Sequence, residues 1–318
     1  MKQARTLREA ITGFLARGAN PEIADGYGWT PLMRAADKGD ISICQLLLES
    51  GAAIETRDGQ GLDAVQWAAR SSSLPCLHLL HGRGAKIDTA DRQGRTALSN
   101  EMRDPDLEVV DLLLRLGANS CSTDSRGDSV LLAAVQKAHT EAVRLLLSHG
   151  AEIKAPDSRG ELPLDHAVKL RHYQLAHLLS LRGAKSARPV HELLGFEPEE
   201  LNKPDDRDWT PLARAVRDPD FGLVQILLDA GADIEKPDRC ATTPLMLAAK
   251  GYGEGILEEL LQRSALLEAR DSEGRTALHH AVLGQRIERV RALPAFGADG
   301  AARDNLGQTP CDIARAEG

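Results

Sequence analysis

Aromatic side chains are scarce, at 3% of the 318 residues. That excludes a core built of stacked rings and leaves leucine and alanine to fill the interior. Cysteine is sparse too. Cys44, Cys76, Cys121, Cys240 and Cys311 are odd in number, follow no regular spacing and form no C-x-x-C pair. A disulfide framework and a thiolate metal site are thereby disfavoured, and the expectation is reduced thiols in a cytoplasmic protein. Cys44, Cys76 and Cys311 fall where helices are expected and should be partly or wholly buried. No stretch approaches 18 apolar residues, so no membrane span is expected. The first twenty residues, MKQARTLREAITGFLARGAN, are amphipathic and interrupted by charge, unlike a secretory signal. There is no P-loop, no G-x-S-x-G and no H-E-x-x-H. His78 and His81 stand i, i+3 without a cysteine or carboxylate partner, and His166, His172 and His177 read as surface or packing residues. The expectation is a non-enzyme with no cofactor and no metal. A net charge of -8 disfavours nonspecific nucleic-acid binding.

What the chain does have is a period. Asp25, Asp58, Asp91, Asp124 and Asp157 stand 33 residues apart, and Asp205, Asp238, Asp271 and Asp304 resume the same step after 15 extra residues. A unit of that size cannot bury its own apolar face, so it must stack on its neighbours as a solenoid. Three places beyond the aspartate stands Gly28, Gly61, Gly94, Gly127, Gly160, Gly274 or Gly307, supplying the positive φ of a tight turn. Asp208 and Ala241 replace it in two units, where a distorted turn is expected. Five places on, Thr30, Thr96, Thr210, Thr243, Thr276 and Thr309 are helix caps, with Pro31, Pro211, Pro244 and Pro310 at the first helical position. A small Ala recurs in the first helix (Ala35, Ala68, Ala134, Ala167 and onward), with Glu101 the one departure. A leucine-rich second helix follows and ends in Gly-Ala, as at Gly51-Ala52 and Gly231-Ala232.

The runs TPLMRAA (30–36), TPLARAV (210–216), TPLMLAA (243–249) and TALHHAV (276–282), with the GADIE close at 231–235, resemble the ankyrin repeat family. The resemblance covers nearly the whole chain and implies an all-α solenoid of helix-turn-helix units with hairpin fingers. The organisation read from it is an N-terminal capping helix in 1–24, repeats 1 to 5 in 25–189, an inserted short helical segment in 190–204, repeats 6 to 8 in 205–303, and a half repeat in 304–318. The insert, VHELLGFEPEELNKP, carries Leu193, Leu194, Phe196 and Leu201 and a Pro-Glu-Glu-Leu helix start. It reads either as a helix packing on its flanking units or as a projecting recognition element or hinge. His279 takes the family's T-P-L-H place, which implies a structural role.

The resemblance also implies that ligands meet the fingers and first helices, which line a concave side. Sixteen basic and eight acidic residues fall on that lining, although the whole chain is negative. Its candidate partner-binding residues are Tyr27, Trp29, Arg34, Trp67, Arg70, Arg92, Arg95, Arg103, Arg126, Arg159, Arg207, Trp209, Arg214 and Arg239. Aromatic rings beside arginine suit an acidic protein surface. A bland account competes: basic residues in the last helical turn, such as Arg70 and Arg103, complement the helix dipole, and charged fingertips discourage edge pairing. The expected function is a non-catalytic scaffold, monomeric on its own, that sequesters, inhibits or tethers a partner protein. By analogy with other ankyrin-only proteins, it suits an immunity or antitoxin-like role or that of an effector adaptor. The alternatives are a binder of a phosphorylated ligand or nucleic acid, or a regulatory domain of a longer protein.

Overall fold

The computed structural model describes residues 2–195, 200–251, 253 and 255–317. Among them the regular structure is all helical, with one isolated bridge between Thr123 and Ser129. The chain forms two compact units, residues 1–166 and 167–318.

The first unit opens with α1 (Lys2–Ala16) and continues as first-helix and second-helix pairs. These are α2 (Pro31–Asp37) with α3 (Ile41–Glu49), α4 (Ala64–Arg70) with α5 (Leu74–Gly82), α6 (Ala97–Glu101) with α7 (Leu107–Arg115), and α8 (Val130–Gln136) with α9 (Thr140–Ser148). First helices stack on first helices, α2 on α4, α4 on α6 and α6 on α8. Second helices form a parallel row, α1 on α3, α3 on α5, α5 on α7 and α7 on α9. The helix α10 (Pro163–Lys169) spans the division between the units.

In the second unit α11 (Tyr173–Leu181) is followed by the four-residue α12 (Val190–Leu193). The pairs α13 (Pro211–Arg217) with α14 (Phe221–Asp229), α15 (Pro244–Lys250) with α16 (Ile256–Gln262), and α17 (Ala277–Leu283) with α18 (Ile287–Ala295) come next, and α19 (Pro310–Glu317) closes. Here α11 packs directly on α14, at so close a range that a Cβ on Gly222 would meet the Gln174 backbone nitrogen at 2.5 Å. Leu201 from the 190–204 segment is buried in this unit's core, with Leu194 packed against it. Phe196 and the Pro198-Glu199 helix start lie outside the described residues.

The caps form as their residues demand. Thr30, Thr96, Thr210 and Thr243 each accept the backbone N–H three residues on, satisfying a donor that the helix leaves free. The core between the rows is leucine, alanine and valine, most of it at or near zero exposure. Cys44 and Cys76 are buried in it, their sulfurs 3.9 Å apart on neighbouring second helices. The hydrogen bond between the two thiols, with burial, pushes Cys44 up, whereas the same bond draws Cys76 down to about 7. Cys311, expected at least partly buried, is exposed, on the face of α19 turned away from α17, on which that helix packs.

The fingers sit tightly on one another. In the first unit the N–H of Gly59, Arg92 and Ser125 each donates to a carbonyl of the preceding finger, at 2.9 to 3.0 Å. At Gly61 a Cβ would meet the Arg92 backbone nitrogen at 2.9 Å, and φ is +86°, so glycine is required twice over. The units lacking that glycine do not distort their turns. Asp208 and Ala241 take φ of 68° and 57° and close the same hydrogen bond to Asp205 and Asp238. The strain of the left-handed region, roughly 1 kcal/mol for a residue with a Cβ, is carried by the stack. Ala241→Gly should therefore raise the urea midpoint, stabilising by up to about 1 kcal/mol, whereas Gly61→Ala should lower it. An Ala241→Gly variant less stable than its parent would contradict this.

Candidate functional site

Each periodic aspartate organises its own finger. One carboxylate oxygen accepts two backbone N–H bonds, from the residues two and four places on. For Asp25 these are Tyr27 and Trp29, for Asp58 Gln60 and Leu62, and for Asp271 Glu273 and Arg275. The pattern holds through Asp304. The second oxygen takes a side-chain donor nine places on, from the first helix. That donor is Arg34 to Asp25 at 2.5 Å, Trp67 Nε1 to Asp58 at 3.1 Å, Asn100 to Asp91 at 3.4 Å, His166 to Asp157 at 3.0 Å, Arg214 to Asp205, and His280 to Asp271 at 2.9 Å. Ala133 and Leu247 occupy the place in the remaining two full units, and Ile313 in the half unit opened by Asp304.

This tie changes the standing of several lining residues. Trp67 was expected to be exposed; it is 6% exposed, with its indole N–H spent on Asp58 and its ring against Trp29 at a centroid distance of 3.8 Å. Its place in the first helix faces the finger rather than solvent. Trp29 and Trp209 are half-buried, and Tyr27 alone of the aromatic group is fully presented, at 77% exposure. Arg34 pairs with Asp25 and lies 3.9 Å over the Trp29 ring. Its guanidinium, more than any other group, holds the Asp25 carboxyl below its usual range. Arg214 is tied in the same manner to Asp205, and Arg217 lies 4.9 Å over Trp209. Arg95 grips Asp91 through two nitrogens, at 3.1 and 2.9 Å, and also reaches Gln93. Burial tends to raise Asp91, but the Arg95 N–H and guanidinium outweigh it and the net direction is down.

The other arginines point outward. Arg70 is exposed, 5.2 Å over the Trp67 ring. Arg126 is exposed with long contacts to Asp124 and Asp128, at 3.4 and 3.9 Å, and Arg239 meets Asp208 at 3.5 Å. Arg92, Arg103, Arg159 and Arg207 are exposed and make no ion pair among the described residues. The outward group in the first unit is thus Arg70, Arg92, Arg103, Arg126 and Arg159; the second unit carries Arg207 and Arg239.

Comparison with known families agrees with this geometry. The family described as Ankyrin repeats (3 copies) matches residues 3–91, 99–189 and 182–271. The chain belongs to the ankyrin repeat family. Ankyrin repeats are in general protein–protein interaction modules and non-catalytic scaffolds. No curated protein matches the chain. No helix among the described residues is long and apolar enough to cross a membrane.

Within the ankyrin frame His279 holds the family's histidine place and is fully buried. Its Nδ1 accepts from Thr276 and its Nε2 reaches the Gln308 carbonyl at 3.2 Å, so it ties its own helix to the following finger. His78 and His81 are exposed on α5. Asp157, Glu161 and His166 bring three potential metal-ligand atoms within 4.8 Å of one another. The nine-place tie already accounts for the His166–Asp157 contact, and Glu161 joins it at 3.6 Å.

One ankyrin unit departs from the rest. Glu101 replaces the small alanine of the first helix, and α6 is cut to five residues. Its side chain lines a polar pocket of about 590 Å³ with Arg70, Arg95, Arg103 and Gln66. Burial, reinforced by Asp106 and Asp104 and opposed by the Asp106 N–H, pushes its carboxyl up to about 7.

Proposed function

We propose that the protein is a non-catalytic binding scaffold that holds a partner protein with an acidic surface on the lining formed by its fingers and first helices, and acts by occupancy. The single observation supporting this reading is the group Arg92, Arg103 and Arg159 on the first unit. These side chains are exposed and unpaired among the described residues, on a chain whose total charge is -8. Elsewhere the fold spends its arginines on its own aspartates, at Arg34, Arg95 and Arg214. Guanidinium groups left over on the lining are available for bidentate contact with carboxylates. Tyr27 adds an exposed ring on the first finger of the same unit, of the kind that anchors interfaces. Held in such a groove, a partner would be sequestered, inhibited or tethered without any chemistry.

The test reverses charge at Arg92, Arg103, Arg126 and Arg159 together, each to Glu, and captures partners from the native cell with the parent and the variant side by side. Capture should fall at least tenfold in the variant, with circular dichroism unchanged. Equal capture by a folded variant would remove this surface as the site. A gel-shift titration at low salt separates the nucleic-acid alternative, which requires a steep salt dependence.

A further inference from the structure

The finger opened by Asp157 differs from its neighbours in the two side chains that meet the periodic carboxylate. Four places beyond the aspartate stands Glu161, and nine places beyond it His166, on the first turn of α10. Neither residue type is unusual alone, but no other unit pairs an acid at the first place with an imidazole at the second. Asp128 is the other acid four places on, and there Ala133 stands nine places on. His280 is the other imidazole, and there Arg275 takes the intervening place and grips Asp271 at 3.1 Å. The chain thus carries its own control. One finger has a third anionic oxygen beside the Asp–His pair, and the other has a guanidinium in that position.

The nine-place tie explains why His166 meets Asp157, but it does not explain the third donor. His166 Nε2 lies 3.0 Å from Asp157 Oδ2 and 3.6 Å from Glu161 Oε2, and the three ligand atoms all fall within 4.8 Å of one another. Bonds of about 2.0–2.1 Å to a tetrahedral metal put neighbouring donor atoms roughly 3.3–3.4 Å apart, between the two separations to the imidazole nitrogen. The donors are also restrained. The other Asp157 oxygen accepts the Arg159 and Glu161 N–H groups at 2.8 and 2.9 Å, which fixes the carboxylate from behind as outer partners do in metal sites. The side chains of His166 and Glu161 are 17% and 18% exposed, so the cluster is sheltered and still within reach of a solvated ion.

We propose that Asp157, Glu161 and His166 form a binding site for a first-row transition-metal dication of the Zn2+ type. An imidazole nitrogen with two carboxylates selects this class over Mg2+ and Ca2+, which favour sets made of oxygen alone. On binding, the neutral ring keeps its hydrogen on Nδ1 and turns the Nε2 lone pair to the metal, while the two carboxylates offset the double charge. Three protein donors leave the fourth tetrahedral place to water or an incoming ligand. The site goes beyond the scaffold reading and does not rest on it, since it needs no partner protein.

The test uses the purified full chain with its exposed cysteines capped by iodoacetamide, titrated with ZnCl2 in a calorimeter. One equivalent should bind with a micromolar dissociation constant, and millimolar Mg2+ or Ca2+ should not displace it. CoCl2 in its place should give the visible absorption of a low-symmetry four-coordinate site. Loss of one ligand should cost at least as much as loss of an outer partner, so His166→Ala and Glu161→Gln should each weaken binding tenfold or more. Glu161→Gln keeps the size of a partly exposed side chain, which preserves the test if His166→Ala does not fold. His78→Ala with His81→Ala should change nothing, which sets aside the histidine pair on α5. Arg275→Glu should add a second equivalent at the control finger. Two results would overturn the proposal: no saturable Zn2+ binding by the folded parent, or binding that keeps its affinity in a Glu161→Gln or His166→Ala protein whose circular dichroism is unchanged.

Discussion

Trp67→Ala is expected to destabilise the first unit by about 3–5 kcal/mol, the usual cost of removing a buried large aromatic side chain. Three losses act together. A buried volume empties between finger and first helix, Trp29 loses the ring it rests on, and the buried Asp58 loses the donor to its second oxygen. Trp67→Phe separates these effects in part, because it keeps an aromatic ring against Trp29 while losing the N–H and part of the indole. Its cost should be smaller than that of Trp67→Ala, about 2–3 kcal/mol, from a buried acceptor left short of one bond and a small cavity. Solenoid units are coupled chiefly to their nearest neighbours, so the damage should be local. Hydrogen exchange read by mass spectrometry should show lost protection in peptides from residues 25–115 and little change in 205–303. A Trp67→Ala protein as stable as its parent would refute the buried placement. Either way, lost partner capture by this variant reports on folding, and Tyr27→Ala is the cleaner probe of the surface.

Glu101→Gln is expected to stabilise the protein at pH 8 by about 2 kcal/mol and to have little effect at pH 4. The sign follows from the direction of the shift. The folded-state value, about 7, lies above the reference of 4.5, so between those values the folded chain retains a proton that the unfolded chain has released. This site is therefore most favourable to folding below pH 4.5, and that advantage is lost as pH rises toward 7. Above 7 the buried charge is a constant penalty. The displacement alone corresponds to roughly 3 kcal/mol, and water at the mouth of the pocket reduces it. Glutamine can still accept the Asp106 N–H, so the substitution removes the charge and little else. Urea titrations of parent and variant at matched pH provide the measurement. A stability difference that does not change between pH 4 and pH 8 would show that the carboxyl titrates as an ordinary surface acid.

Much of the architecture was legible because ankyrin units repeat identities. The aspartate, the finger glycine, the capping threonine and the Gly-Ala close each recur as the same residue type, so the period of 33 is visible by inspection. The departures were visible too, but their outcomes were not. Asp208 and Ala241 signal turns without glycine, and only the backbone reveals that they adopt its conformation regardless. Glu101 is conspicuous among alanines, yet its burial depends on the shortened α6 around it. The nine-place tie was hidden for a different reason. Arg34, Trp67, Asn100, His166, Arg214 and His280 share no residue type, only the ability to offer a hydrogen to a carboxylate. Judged by identity, the arginines and the tryptophan looked like contacts for a partner. Judged by what they touch, they belong to the finger. The exposure of Arg92, Arg103 and Arg159, in contrast, follows from their positions at fingertips and helix ends and was anticipated from spacing.

The tolerance of that ninth place has a bearing on how such a scaffold diversifies. A guanidinium, an indole, a carboxamide and an imidazole all serve there, so charge and bulk at this spot can be exchanged from one unit to the next while the underlying backbone stays put. A combinatorial library confined to hydrogen-donating residues at those positions would explore new surfaces without forfeiting the hairpins that carry them.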